Sequence, residues 1–207
     1  MYKRQLKKLC ERYDYKFIQQ SVCKISPTDQ EIHTDGNIYQ YDIASINTGS
    51  ISNSESAIGV KEWAIPVKPI KNLVSNIEKF LTRVGCSTKN SIYKISVIGG
   101  GAASIEVLLA LQYQAKSRGY NNLQYCLITA AKDILETHSL SVRRRFHRIL
   151  HLRGITTHYN APVTEVRQDC IKTKTENVIP SDFTIWATGA SPARWPKLSG
   201  LPTTKDG

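Results

Sequence analysis

The sequence predicts a three-layer α/β fold: a parallel sheet with helices on it and a hairpin or meander as the crossover. Three observations carry this. The run Lys94–Ile98 is apolar and β-like and passes directly into Gly99, Gly100 and Gly101, after which a helix-like stretch begins. A second apolar run, Leu123–Thr129, follows that helix, giving the strand–helix–strand order of parallel pairing. The third is a weak internal repeat whose two copies lie 140 or 141 positions apart and both end in Thr-Gly, at Thr48-Gly49 and Thr188-Gly189.

The first copy opens with a basic helix, continues through a β-like run Lys16-Phe17-Ile18 and then Val22, turns at a hairpin tip Asp35-Gly36, and closes on Tyr41 to Ser50. The connector Trp63–Ile70 contains Pro66 and Pro69, which bar a helix there. Lys71 to Val84 then shows helical spacing (Leu73, Ile77, Phe80, Leu81, Val84) and is expected to close at Gly85. Cys86 to Asn90 reads as a polar linker. After the glycine turn comes a helix with an apolar face (Ile105, Val107, Leu108, Leu111) that stops at Gly119. The second copy has an arginine-rich helix ended by Gly154, a run Ile155-Thr156-Thr157, then Val163, a hairpin tip near Glu176-Asn177, and a strand Phe183–Ala187. In both copies an Asp precedes the glycine of Thr-Gly by seven positions, Asp42 before Gly49 and Asp182 before Gly189.

Composition excludes several classes. At 207 residues and 41% apolar content the chain resembles an ordinary globular protein. No apolar run approaches a spanning length and the N-terminus lacks a signal-peptide core, so the sequence reads as cytoplasmic. Five scattered cysteines (Cys10, Cys23, Cys86, Cys126, Cys170) suggest neither disulfides nor zinc, and are expected to be reduced and mostly buried. They also give no close dithiol of the kind that attacks and resolves a mixed disulfide. The net charge of +11 comes mostly from residues 1–24 and 137–164. In both segments charged residues alternate with apolar ones, as on a solvated helix face. No nucleic-acid partner is expected; contact with an anionic membrane surface or a fused domain is the other use such faces allow, and the oligomeric state is open. The histidines show metal spacing only at His147 and His151, with no third ligand nearby, so no metal site is assigned and they read as surface residues.

The chemistry-bearing motif is Gly99-Gly100-Gly101-Ala102-Ala103-Ser104. It matches a dinucleotide-binding turn except that Ser104 replaces the last glycine, a position where a small residue still permits close packing of helix on strand. Gly99 suits the tight turn, Gly101 lets backbone approach a pyrophosphate, and the first amides of the helix favour its negative charge. Glu106, two residues into that helix, is either a charge favoured by the helix dipole or an acceptor for a nicotinamide carboxamide. The acid that would accept a ribose 2′-hydroxyl is missing after the second strand, where Thr129, Ala130, Ala131 and Lys132 stand. Lys132 is then either a partner for a 2′-phosphate or an exposed strand-end lysine. Thr188-Gly189 puts bare backbone at the carboxyl edge of the sheet, either as a ligand contact or as a structural turn. No residue is assigned a catalytic role as acid, base or nucleophile.

Four segments together resemble the FAD-dependent pyridine nucleotide(-disulfide) oxidoreductase superfamily, in particular the branch like type II NADH dehydrogenase and the similar domain fused ahead of selenide, water dikinase. They are Tyr41-Asp42-Ile43 through Thr48-Gly49-Ser50, Ile65–Ile70, Val97–Ala103 and Ile185–Ala190. The resemblance implies two nested Rossmann-like domains, one holding FAD and the inserted one holding NAD(P)H, which delivers hydride to the flavin. It implies a remnant FAD domain at 1–60, a connector and helix at 61–90, an NAD(P)-binding domain at 91–190, and a return crossover at 191–207. By the same resemblance Val22, Thr48 and Gly49 would line the adenine and ribose side of FAD. Gly99, Gly101, Ala102, Ala103, Glu106 and Gly189 would line NAD(P)H. The family's FAD glycine motif is expected upstream of Met1 and its second FAD segment downstream of Gly207, so the chain is expected to be a fragment that is inactive alone. The rival reading is a non-catalytic, basic interaction or nucleic-acid-binding domain on a Rossmann-like scaffold.

Overall fold

A computed structural model describes residues 2–52, 57–87, 91–193 and 195–204. The chain forms two compact units, one made of residues 1–49 and 192–207 and the other of 50–191.

The first unit begins with α1 (Tyr2–Arg12), followed by β1 (Val22–Ser26), β2 (Glu31–Thr34) and β3 (Ile38–Gln40) in an antiparallel meander. The β2–β3 turn falls at Asp35-Gly36 as the sequence predicts, and Thr34 Oγ1 closes it by donating to Asn37 O at 2.7 Å. One expected element of this copy does not form. Lys16–Ile18 is not a strand, and Tyr41–Gly49 contains none, leaving Ile43 92% exposed. A single strand cannot satisfy its own backbone, and beyond Tyr41, whose N–H donates to Gln30 O at 2.9 Å, no strand among the described residues pairs with either run.

The second unit opens with β4 (Ser50–Ser52), α2 (Val60–Trp63) and β5 (Ala64–Pro66), then α3 (Ile70–Cys86). The segment read as a connector thus supplies a strand, because β5 pairs in parallel with a later strand through Ala64, Ile65 and Pro66. Gly85 does not end α3, which runs on to Cys86 and caps with the Ser87 N–H on Val84 O. A side chain at Gly85 would meet the Tyr120 hydroxyl at 2.5 Å, so this glycine serves packing rather than termination.

Next come β6 (Tyr93–Ile98), α4 (Ala102–Ser117), β7 (Leu123–Ile128), α5 (Leu140–Leu152) and β8 (Ile155–His158). The antiparallel meander β9 (Val163–Val166), β10 (Cys170–Thr173), β11 (Val178–Pro180) leads into β12 (Phe183–Trp186). β13 (Ala190–Pro192) pairs with β4 in a two-stranded ribbon, and α6 (Trp195–Leu198) returns to the first unit, where the Ile25 N–H donates to Ser199 Oγ at 3.0 Å.

The five-stranded sheet has the order β5-β12-β6-β7-β8, all parallel. Its layers follow from side-chain alternation. Ile95, Val97, Tyr125, Leu127 and Ile185 point to one face, where Leu73, Ile77 and Leu81 of α3, Ile105, Leu108 and Leu111 of α4 and Leu150 of α5 complete a core. Ile98, Ile128 and Trp186 point to the other, covered by Val166, Ile171 and Ile179 of the meander. Four of the six residues of β6 are buried, as expected of a central parallel strand covered on both faces. Phe80 pins α3 to the sheet, stacking on Phe183 at 4.5 Å and meeting the Tyr93 ring edge-on at 5.9 Å, a geometry that adds about 1 kcal/mol beyond burial. The result is the three-layer Rossmann-like architecture that the sequence predicts. The cysteines depart from expectation: none is fully buried, and Cys23 and Cys86 are exposed. Among the described residues no helix is long and apolar enough to cross a membrane.

Candidate functional site

The carboxyl ends of β6, β7 and β12 converge on one edge of the sheet. The chain runs from β6 to β7 on one side, while β12 lies on the other side of β6. This reversal of strand order is the switch point at which open α/β sheets hold ligands. The glycine turn sits there. The Gly99 N–H donates to Ile128 O at 2.8 Å, tying the turn to β7, and the Ala187 N–H donates to Ile98 O at 2.9 Å, tying β12 to β6.

Gly99 is buried with φ +134°, a conformation that disfavours any side chain. Gly101 starts α4 with φ −85° and open space where a side chain would go. Among the described residues no side chain caps α4, so none occupies the amides of its first turn. Ala103 and Glu106 are exposed, Ala102 is half-buried, and Ser104 is fully buried, with its hydroxyl donating to Ala187 O at 3.4 Å. The serine in place of the last glycine therefore turns inward to fasten α4 to β12. Across the edge Thr188 is half-buried and Gly189 exposed with φ +45°.

Thr129 and Lys132 lie on the loop after β7, but with different roles. Thr129 is buried; its hydroxyl accepts from the Ala131 N–H at 3.1 Å and abuts Gly100, where a Cβ would come within 2.5 Å of Oγ1. Lys132 is exposed. Val22, Thr48 and Gly49 belong to the other unit, with Val22 half-buried at the start of β1 and Thr48 and Gly49 exposed. The structure thus brings Gly99–Ser104, Glu106, Thr129, Lys132, Thr188 and Gly189 to one sheet edge.

Sequence reasoning missed the network that braces this loop. Leu135 N–H donates to Gly100 O at 2.8 Å, and Ile134 is fully buried. Between them and α5, Asp133 accepts from Arg143 and lies 2.6 Å from His147 Nε2, while His147 Nδ1 lies 3.1 Å from the Tyr159 hydroxyl. In the tautomer whose Nε2–H donates to Asp133, Nδ1 is left to accept from the Tyr159 hydroxyl. The only trace in the sequence is Arg143 and His147 one turn apart on a helix; His147 joins the network while 40% of its side chain stays exposed.

Burial works against the Asp133 carboxylate, but the Arg143, Ile134 N–H and His147 contacts hold its pKa below the ordinary value. A carboxylate depressed in the folded state contributes stability above its unfolded pKa, and that contribution is lost as pH falls through the folded value. The Asp133→Asn variant is expected to be destabilised at pH 7 by about 1–2 kcal/mol, since the half-buried Arg143 guanidinium loses its anionic acceptor, and the gap to the parent chain narrows below about pH 4. Urea unfolding of both proteins at pH 7 and pH 3 checks this; a gap that stays constant would exclude it.

Solved structures share the fold. A sulfide:quinone oxidoreductase from Aquifex aeolicus superposes with a TM-score of 0.73 at 19% identity, covering 92% of this chain and 46% of that one. NDH2 from Plasmodium falciparum, in complex with NADH, gives 0.74 at 21% identity, covering 86% and 41%. A ferredoxin reductase from Rhodopseudomonas palustris gives 0.79 at 15%, covering 95% and 47%. The chain spans less than half the length of each of these three proteins. No curated protein matches it by sequence. The glycine turn at the sheet's switch point and the meander before β12 are thus joined by a match along almost the whole sequence: the family described as pyridine nucleotide-disulphide oxidoreductase covers residues 4–207, and the chain belongs to it.

Proposed function

We propose that this chain is the NAD(P)H-binding module of a flavin-dependent NAD(P)H oxidoreductase. The observation that carries the reading is the turn itself: Gly101 has open space at its Cβ position and begins an uncapped helix at the switch point. The pyrophosphate would lie on the first amides of α4, where backbone donors and the helix dipole favour its charge. Glu106 and Gly189, both exposed at this edge, would face the nicotinamide half, and Lys132 would face the adenosine half. The residues therefore fit a dinucleotide. A flavin bound against the nicotinamide would accept the hydride. Among the described residues the first unit has no glycine turn between strand and helix, so Val22, Thr48 and Gly49 alone do not form a flavin cradle, and no step is assigned to them.

Titration of the purified chain with NADH and NADPH, followed by nucleotide fluorescence, tests the reading. Binding of either nucleotide is expected. In Gly101→Ala, binding should fall at least about tenfold while the unfolding free energy from urea titration stays within about 0.5 kcal/mol of the parent, because the methyl meets nothing among the described residues and only a ligand's phosphate would feel it. Absence of nucleotide binding, together with salt-sensitive binding to nucleic acid, would overturn the proposal in favour of a basic interaction domain.

A further inference from the structure

A second site lies at the opposite, amino-terminal edge of the same sheet. There a cavity of about 210 Å³ opens between the end of α4, the loop before β7 and the start of β8. Two residues in its wall carry oxygens with no hydrogen-bond partner: Gln112 Oε1 and the Tyr125 hydroxyl. Gln112 is 2% exposed and Tyr125 6% exposed, so solvent does not reach either freely. The orientation of the amide is fixed, because Gln112 Nε2 donates to Arg153 O at 3.0 Å and a carbonyl can only accept. Oε1 is therefore the free end. Burial pushes the Tyr125 phenol up to about 12, leaving a neutral O–H that can both donate and accept.

Buried polar groups are seldom left unpaired, and two in one cavity ask for an occupant. The mouth says what kind. Lys116 and Arg153, both exposed, line the same cavity and form no ion pair among the described residues, and no acidic side chain lines it. Asn121 adds a neutral polar group. Water would satisfy the two oxygens, but the cationic lining with no acid in it favours an anion.

We propose that this cavity binds a small hydroxylated anion. Its hydroxyl donates to Gln112 Oε1 and accepts from the Tyr125 O–H, and its anionic end lies between Lys116 and Arg153. The site lies at the other end of the strands from Gly99, so it does not depend on nucleotide binding.

The test is calorimetric titration of the chain with glycerol 3-phosphate, with glycerol and inorganic phosphate as half-probes. Glycerol 3-phosphate is expected to bind at least about tenfold more tightly than either half, because only it engages both ends of the cavity. Tyr125→Phe keeps the ring and removes the hydroxyl, and should weaken binding about tenfold. Lys116→Gln, an exposed change that does not touch folding, should weaken binding of glycerol 3-phosphate but not of glycerol. NADH affinity should be the same in all three proteins. No binding of glycerol 3-phosphate up to about 10 mM, or equal binding by the parent, Tyr125→Phe and Lys116→Gln, would overturn the proposal and leave a water-filled cavity.

Discussion

Replacing Gly99 with alanine is expected to lower stability by about 3 kcal/mol and to abolish NADH binding in the same variant. Two effects add. At φ +134° an L side chain is strained wherever space exists. Here space does not exist: a Cβ would lie 2.5 Å from Ser104 Oγ and 2.7 Å from Ala187 O. The serine hydroxyl can rotate, but the Ala187 carbonyl is backbone, and the Ala187 N–H is held by Ile98 O at 2.9 Å. Relief therefore requires β6 and β12 to move apart at the edge where the nucleotide is proposed to bind. Urea unfolding followed by circular dichroism reads the first effect and nucleotide titration the second. An alanine variant with an unchanged urea midpoint would show that the turn does not pack as described. A variant that loses stability yet binds NADH normally would instead separate the turn from the ligand. Gly101→Ala is the complement, since there the protein has room and only a ligand would object.

What the sequence disclosed follows a physical pattern. The strands β6 and β7, the helices α3, α4 and α5, and the meander with its tip near Glu176 are legible because each has its own periodicity or turn chemistry. Elements that exist only through partners are not. β5 is three residues ending in Pro66, and it becomes a strand because β12 offers it a parallel edge at Thr184–Trp186. The run Tyr41–Gly49 holds the place in the first copy that Ser181–Gly189 holds in the second but stays outside any strand, since a sequence pattern cannot supply a neighbour. Within the site, Gly99, Gly101 and Ser104 were readable from spacing alone. The inward role of Thr129, the Leu135 contact with Gly100, and the Asp133–Arg143–His147–Tyr159 chain were not, because they depend on how an irregular loop folds back. The charge of the arginine helix hid the same fact: Arg143 is engaged by Asp133 while Arg144, Arg145 and Arg148 face solvent.

Gly59 is the residue least visible in the sequence and among the most costly to change: Gly59→Ala is expected to destabilise the chain by about 3–4 kcal/mol. It ends the loop before α2 with φ +72° and ψ 1°. A Cβ there would stand 2.2 Å from Val166 O. That carbonyl cannot yield cheaply, because the Val166 N–H donates to Ile58 O at 2.8 Å and the Ile58 N–H donates to Thr164 O at 3.0 Å, a pair of bonds that clamps this loop to β9. Val60 and Val166, 2% and 1% exposed, form the core beneath the clamp. Displacing them would lift the meander from the sheet face that Ile98, Ile128 and Trp186 present. Backbone strain and steric conflict can be told apart with Gly119, which has a similar φ of +78° but nothing within 4 Å of its Cβ position. Asparagine tolerates the left-handed region, so Gly119→Asn should lose no more than about 1 kcal/mol while Gly59→Asn should be nearly as damaging as the alanine. Equal, small losses at both positions in urea unfolding would mean that conformation alone sets the requirement at Gly59, and that the meander is not held by this contact.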